Sequence, residues 1–484
     1  MKQAPSENEP ARLASEFWRR FHETREYPRE TIGHLIGLAL SEDEETSKQA
    51  SRAIFTAIIE RLADSFDPDT ILIYNRLLAQ LIDRFGRTET GLEIIRALVS
   101  FGLRGEEALF QRAENLRRAQ RLHLGSHSAR SVRRVTVLSR VTIGADVAIS
   151  SVIIERLKRE FPDAGITLVG GGKAIELFGG DPHLSFKEIA YRRAGTVAER
   201  LLSWLDVLAL VREMTQDAQL GESLIVDPDS RLTQLGLLPV APADNYLFFP
   251  SREYGADRNL SLARLASEWM DEVFGSEPRS ILPRLSLSRG DIDIASEIQR
   301  RMKGESERPV VTVNFGVGGN ESKRVGDHFE RALIAALLAK GAKVILDKGS
   351  SEEEAARAGD AINYTLAANR DARAVEADED RLELLLKGDY LSGADLLSFR
   401  GRVGLLGAMI GISDLYIGYD SAGQHIAAAL GVACIDIFAG YTSPRMLDRW
   451  RPAGPAPVKV IAVDTLSRPA DQERVLAETL SLAF

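Results

Sequence analysis

Apolar positions recur every three or four residues through the first quarter of the chain. Ile54, Ile58 and Leu62 lie on one such stripe; Ile71, Leu77, Leu78, Leu81 and Ile82 lie on another. This spacing follows the 3.6-residue helical period, and strand-like alternation is absent. Residues 16–120 are therefore expected to form a bundle of five or six helices. Ser41 and Glu44 have the spacing of a capping box that opens a helix. No motif in this stretch carries chemistry, so docking or oligomerisation is its expected role. It ends in an arginine-rich stretch: Arg112, Arg117, Arg118, Arg121, Arg130, Arg133 and Arg134, interrupted by Gly125, Ser126 and Ser128. Two readings stand for it. One is a solvated helix end with a linker; the other is a patch for anionic lipid or a phosphorylated acceptor.

The pattern changes at Arg134. Val135–Leu138 is a short β-rich run, Asp146–Phe161 reads as a helix, and Ile166–Val169 reads as a strand closed by Gly170, Gly171 and Gly172. Strand, helix and strand at this spacing predict a parallel βαβ unit. Leu224–Val226 and Tyr246–Phe249 read as later strands, Leu260–Phe274 as a helix and Pro278–Ser288 as an extended connector. A second alternating series follows. Its strands are Val310–Asn314, Val344–Leu346, Leu415–Ile417, Ala433–Phe438 and Val458–Val463. Its helices are Phe329–Ala339, Ser351–Ile362, Val403–Ile410, Ser421–Leu430 and Pro469–Leu482. Asp371–Asp380 reads as an acidic insertion. Two such series predict two Rossmann-like lobes facing a cleft, with ligands at the carboxyl ends of strands. The expected division is 1–125 for an all-α accessory domain, 126–290 for the first lobe and 291–484 for the second.

Composition narrows the function classes. The 484 residues are 44% hydrophobic and 27% charged, a globular balance, with a net charge of -9. That charge argues against a nucleic-acid partner. A single cysteine, Cys434, rules out an intrachain disulfide and a cysteine-rich metal framework. No stretch is apolar enough to span a bilayer, and Met1–Arg12 is polar where a secretory signal has an apolar core. The expectation is a cytoplasmic protein, with at most a peripheral contact at the inner membrane face.

Candidate chemistry lies in the loops that follow strands. Asp146 stands where the first helix begins. It either caps that helix or accepts a proton from a hydroxyl. The loop Phe315–Arg324 holds Gly316, Gly318 and Gly319, then Lys323 and Arg324. Exposed amides followed by two cations suit a diphosphate, though the P-loop spacing is missing; a mobile surface loop is the plain alternative. Gly418–His425 joins a strand to a helix. There Ser421, Ala422 and Gly423 would present free amides at a positive helix end, with His425 one turn on. Phe438–Pro444, followed by Arg449, Trp450 and Arg451, is a further loop with hydroxyls and cations.

These residues resemble glycosyltransferase family 9, the ADP-heptose–lipopolysaccharide heptosyltransferases, over Arg134–Phe484. Ile143-Gly144-Ala145-Asp146 and Phe161-Pro162-Asp163-Ala164 match the opening of its first lobe. Lys323-Arg324, Lys348-Gly349-Ser350-Ser351-Glu352, and Phe438 to Pro444 match blocks of its second. Asp420-Ser421-Ala422-Gly423-Gln424-His425, running on to Gly431, matches its most specific motif. Ala145, Val152, Val325, Lys348 and Ala422 depart from the family pattern. The resemblance implies a GT-B fold and inverting, metal-independent transfer, with no cofactor beyond the nucleotide-sugar co-substrate. It implies Asp146 as general base, Lys323, Ser421, Gly423 and His425 on the donor diphosphate, Glu352 on the ribose, and Asp420 placing sugar or acceptor. Arg324 and Ala422 complete the donor set. The implied partners are a nucleotide-sugar donor, such as ADP-heptose, and a hydroxyl acceptor on a lipopolysaccharide core, glycan or protein. The helical region is open to homo-oligomer contacts. Two other classes remain: a degenerate GT-B fold acting as a nucleotide-sugar-binding or scaffold protein, and an epimerase or hydrolase acting on the nucleotide sugar itself.

Overall fold

The structure is a computed structural model that describes residues 9–118, 131–192, 195–218, 221–275, 277–464 and 469–484. Seven α-helices come first: α1 (Glu9–Thr24), α2 (Arg29–Ala39), α3 (Glu44–Arg52), α4 (Arg61–Asp64), α5 (Pro68–Gly86), α6 (Leu92–Ser100) and α7 (Gly105–Arg118). A π-helical run, Ala53–Glu60, joins α3 to α4. The cap that opens α3 is Asp43, not Ser41: the Asp43 carboxylate accepts from the Thr46 amide at 2.8 Å, while Ser41 Oγ accepts from the Asp43 amide.

The first sheet contains β1 (Arg134–Leu138), β2 (Gly165–Gly170), β3 (Leu184–Glu188), β4 (Ser223–Asp227) and β5 (Tyr246–Phe248), all parallel in the order β3-β2-β1-β4-β5. Its helices are α8 (Ile143–Ala145), α9 (Ser151–Glu160), α10 (Gly172–Phe178), α11 (Val197–Thr215) and α12 (Leu262–Phe274); the π-helical run Asp146–Ser150 makes Ile143–Glu160 continuous. The second sheet runs β12-β11-β10-β6-β7-β9-β8, also parallel. Its strands are β6 (Val310–Asn314), β7 (Lys343–Asp347), β8 (Ala374–Asp378), β9 (Leu396–Arg400), β10 (Leu415–Tyr419), β11 (Ala433–Ala439) and β12 (Val458–Val463). The helices accompanying it are α13 (Arg289–Lys303), α14 (Asp327–Ala339), α15 (Glu352–Ala368), α16 (Glu379–Lys387), α17 (Val403–Gly411), α18 (Ala422–Leu430), α19 (Pro444–Trp450) and α20 (Pro469–Ala483). The acidic stretch expected as an insertion contributes β8, an edge strand of this sheet.

Strand order reverses between β1 and β4 in the first sheet and between β6 and β10 in the second. These switch points open crevices at the strand ends, so they fix where a ligand sits. The helical region shares one apolar core with the first sheet: Leu77, Leu81 and Phe110 pack in the same cluster as Leu138, Trp204 and Tyr246. Arg112 and Arg117 serve this junction rather than a lipid. Arg112 Nε donates to the Gly236 carbonyl at 3.0 Å, and Arg117 is clasped by Glu114 and Glu253. Arg134 donates to the Met214 carbonyl at 2.9 Å. Arg121, Gly125, Ser126, Ser128 and Arg130 lie outside the described residues. No helix among the described residues is long and apolar enough to cross a membrane.

Candidate functional site

The loop after β1 folds back on itself around one carboxylate. Asp146 is 4% exposed and accepts from Ser139 Oγ at 2.6 Å, the Arg140 amide at 2.7 Å and Ser150 Oγ at 2.7 Å. Oδ1 takes two of these donors and Oδ2 one, so one lone pair of Oδ2 is left free. Burial raises the Asp146 pKa, while these donors and the nearby Arg140 charge hold it down. Val141 in this loop has φ +68, a conformation that is an outlier for a β-branched residue. Backbone strain of this kind gathers where function demands a fixed loop.

Across the crevice, the second sheet presents the loops after β6 and β10. Gly318 and Gly319 take left-handed φ values of +60 and +84, which glycine adopts without penalty. The chain then turns through Glu321–Lys323 and brings Lys323 Nζ to Asp420: 2.5 Å to Oδ2 and 3.2 Å to the carbonyl. Asp420 is buried, and its other oxygen accepts from Gln424 Nε2 at 3.0 Å. Helix α18 starts at Ala422 behind Ser421, whose amide donates to Gln424 Oε1 at 2.8 Å. Its N-terminal end carries partial positive charge toward the crevice. Gly423 is required by packing: a β-carbon there would sit 2.6 Å from Tyr416 Cζ.

His425 is 4% exposed, and burial lowers its pKa to about 4, so the imidazole is neutral at pH 7. A neutral imidazole donates one hydrogen bond without adding a buried charge. The two lobes meet here. A β-carbon at Gly144 would lie 3.2 Å from His425 Cδ2, 3.5 Å from the Ser421 carbonyl and 3.6 Å from Ala422 Cα.

Asp146, Lys323, Asp420, Ser421, Ala422, Gly423 and His425 therefore come together at facing switch points. Arg324 does not join them. Its guanidinium is held by Glu321 at 3.1 Å, Asp327 at 2.5 Å and Glu330 at 2.9 Å, which raises its pKa and fixes it on the α14 side. Glu352 stands at the rim, its side chain 85% exposed, accepting from Arg400 at 2.9 Å. Glu354 is the acid that reaches the glycine-rich loop, accepting from the Val317 amide at 3.3 Å. Arg449 likewise serves structure: it donates to the carbonyls of Gly255, Arg258 and Leu260 and so ties α19 to the first lobe.

Three features of the site escaped the sequence. The loop after β4 places Asp229 and Arg231, and the loop after β5 places Arg252, beside Arg140; the Arg252–Asp229 ion pair is buried. The signal was positional, because β4 is the neighbour of β1 across the switch point. Asp436 on β11 is 0% exposed with neither carboxyl oxygen hydrogen-bonded. The third is the placing of Trp450, which the sequence offered only within a loop of hydroxyls and cations: its ring meets His425 edge-on at 6.0 Å between centroids. Among the described residues, no three His, Cys, Asp or Glu side chains group as metal ligands.

No protein-family profile and no curated protein matches the chain. Solved structures do match. A glycosyl transferase of family 9 from Veillonella parvula DSM 2008 shares 14% identity, covering 73% of this chain and 98% of that one, with a TM-score of 0.50. The E. coli ADP-heptose lps heptosyltransferase II shares 18% identity over 72% of this chain and 98% of its own, with a TM-score of 0.46. The E. coli heptosyltransferase WaaC, solved with ADP, shares 14% over 72% and 99%, also at 0.46. At such identities the likeness is one of architecture: the chain has the two-lobed parallel α/β fold of the family 9 structure, GT-B, with a helical region added at its N-terminal side.

Proposed function

We propose that this chain is an inverting glycosyltransferase of the family 9 type. It would move a heptose or hexose from a nucleotide sugar, with ADP-heptose the leading candidate, to a hydroxyl on a lipopolysaccharide core, glycan or protein. One observation carries the reading: the helix start that bears Asp146 packs at Gly144 against Ser421, Ala422 and His425 of the α18 N-terminus, where Lys323 pairs with Asp420. In this scheme the acceptor hydroxyl attacks the anomeric carbon and passes its proton to the free lone pair of Asp146 Oδ2. The bond from that carbon to the diphosphate oxygen breaks, and the electron pair leaves with the nucleoside diphosphate. Lys323, the Ser421–Gly423 amides and a hydrogen bond from neutral His425 meet the developing charge, where preorganised dipoles act most strongly. Asp420 positions Lys323, and Glu352 at the rim is assigned the nucleoside ribose.

The second class, a nucleotide-sugar-binding protein without turnover, is favoured by one fact: three donors already hold the Asp146 carboxylate. A thermal-shift screen of nucleoside diphosphates and nucleotide sugars tests both readings. A ligand at a hundred times its Kd stabilises the native state by about 2.7 kcal/mol. Mass spectrometry of products then separates them. Sugar transferred to an acceptor supports the enzyme, binding without product supports the scaffold, and no binding by any nucleotide overturns both.

A further inference from the structure

Phe66 belongs to the helical region by sequence, yet it packs in the core shared by both sheets rather than with its own helices. It sits at the corner between α4 and α5, 2% exposed, with φ +52. A bulky residue in that conformation persists only where its surroundings over-determine it. The corner is locked by the Ser65 and Thr70 hydroxyls, 2.5 Å apart, and by the Asp69 amide donating to Asp67 at 3.1 Å. From the second lobe, Arg445 NH1 donates to the Phe66 carbonyl at 2.8 Å. The Phe66 ring meets Trp450 edge-on at 6.2 Å, and Trp450 in turn meets His425. Three rings thus run from the helical region to the donor-side histidine.

Asp64 ends α4, two residues before Phe66. It is half-buried, and among the described residues no donor or cation pairs with its carboxylate. The cations within electrostatic reach are Arg252 and Arg231 of the first lobe and Lys323 of the second; Glu60 is the like charge. Burial raises its pKa, and those three cations pull it back.

We propose that the α4–α5 corner is the third wall of the transfer site, with Phe66 backing His425 through Trp450 and the unpaired Asp64 of the same corner adding a carboxylate that repels the donor diphosphate. This rests on the donor reading above. Asp64 then balances the cations of the empty site and opposes retention of the nucleoside diphosphate product. A purely structural corner predicts that every substitution weakens binding; this arrangement predicts opposite signs for two neighbours.

The test is calorimetric titration of the full chain with ADP, UDP and GDP. Asp64→Asn removes the like charge and tightens the best-binding nucleotide by about threefold or more. Phe66→Leu keeps the corner apolar but loosens the ring contact, and it weakens the same nucleotide by about fivefold or more. Glu93→Gln, on an exposed face of α6, leaves it unchanged. Wild-type binding with both corner variants within twofold, or weaker binding in Asp64→Asn, overturns the proposal and leaves the donor reading standing. A wild type that binds none of the three overturns the donor reading and this proposal with it.

Discussion

Asp436→Asn tests whether a buried carboxyl keeps its proton under the proposed diphosphate site. Asp436 lies in the middle of β11, paired across to Gly418 of β10, with no exposure and no hydrogen bond to either oxygen. Burial drives its pKa well above the ordinary carboxylate range; the Asp420 charge adds to the rise and Lys323 opposes it. The folded state therefore holds a proton that the unfolded chain releases near pH 4. Stability from this group is complete below that pH and is lost as pH rises toward the folded pKa. The slope is about 1.4 kcal/mol per pH unit for one proton. Asparagine is nearly isosteric with the protonated acid and does not titrate. As pH rises from the unfolded titration toward the folded one, the wild type should therefore lose stability relative to Asp436→Asn along that slope. Asp227 and Asp347, both raised to about 6 by burial, are present in both proteins and cancel in the difference. Urea unfolding followed by tryptophan fluorescence at pH 5, 6, 7 and 8 measures it. Parallel stability–pH profiles for the two proteins would show that Asp436 is ionised in the fold. The crevice would then carry a second anion beside Asp420, and the account of a diphosphate site would lose its charge balance.

Further expectations attach to single residues. Asp146→Asn should reduce transfer by about a hundredfold or more, the scale of general-base catalysis, while nucleoside diphosphate affinity stays within twofold; unchanged turnover sinks the assignment of the base. Gly423→Ala drives a β-carbon against Tyr416 and should destabilise by about 3 kcal/mol, read as a lowered Tm. Tyr416→Phe removes a buried hydroxyl with no partner, so it should stabilise by about 1 kcal/mol alone and recover part of the Gly423→Ala loss. His425 titrates at about 4 in the fold against 6.5 unperturbed, so its contribution is whole above pH 6.5 and about 3 kcal/mol smaller by pH 4. A His425 resonance titrating near pH 6.5 by NMR would contradict its burial.

The two parallel sheets were legible because strands such as β1, β4, β6 and β7 are short apolar runs rich in Val and Ile, and strands buried on both faces read that way. The elements missed have identifiable reasons. Helix α11 is apolar on more than one side, since it is wedged between the helical region and the first sheet, so no clean stripe marks it. Strand β8 carries Glu376 and Asp378 on an exposed edge and passes for an acidic loop. In α13, the Asp291-Ile292-Asp293-Ile294 alternation imitates a strand inside a helix. Asp146, Lys323 and the Asp420–His425 segment could be singled out because each lies in the connection that follows a strand. Arg324 was misplaced because adjacent residues of a turn point in opposite directions, and only the structure shows Glu321, Asp327 and Glu330 closing on it. Phe66 gave no signal at all: its partner Arg445 lies 379 residues away, a separation that no local pattern reports.

Burial across the crevice also orders the proposed donor. Glu352 and the Gly318–Gly319 turn are exposed, Lys323, Ser421 and Ala422 are half-buried, and Asp146 and His425 are buried. On the far side, Phe66, Trp450 and Arg449 close the space between the lobes and the helical region. A nucleotide sugar that enters from the open rim can satisfy its charges in one direction only. In the proposed mode the diphosphate stops at Lys323 and the α18 amides, because going deeper would strip its water where Arg140 and Arg252 are already engaged by Asp229. The nucleoside then remains outward near Glu352, and the sugar projects inward toward Asp146, where water is excluded. That order matches the chemistry: the group that carries most charge rests where cations and amides are still half-solvated, and the carbon that must be protected from hydrolysis lies deepest.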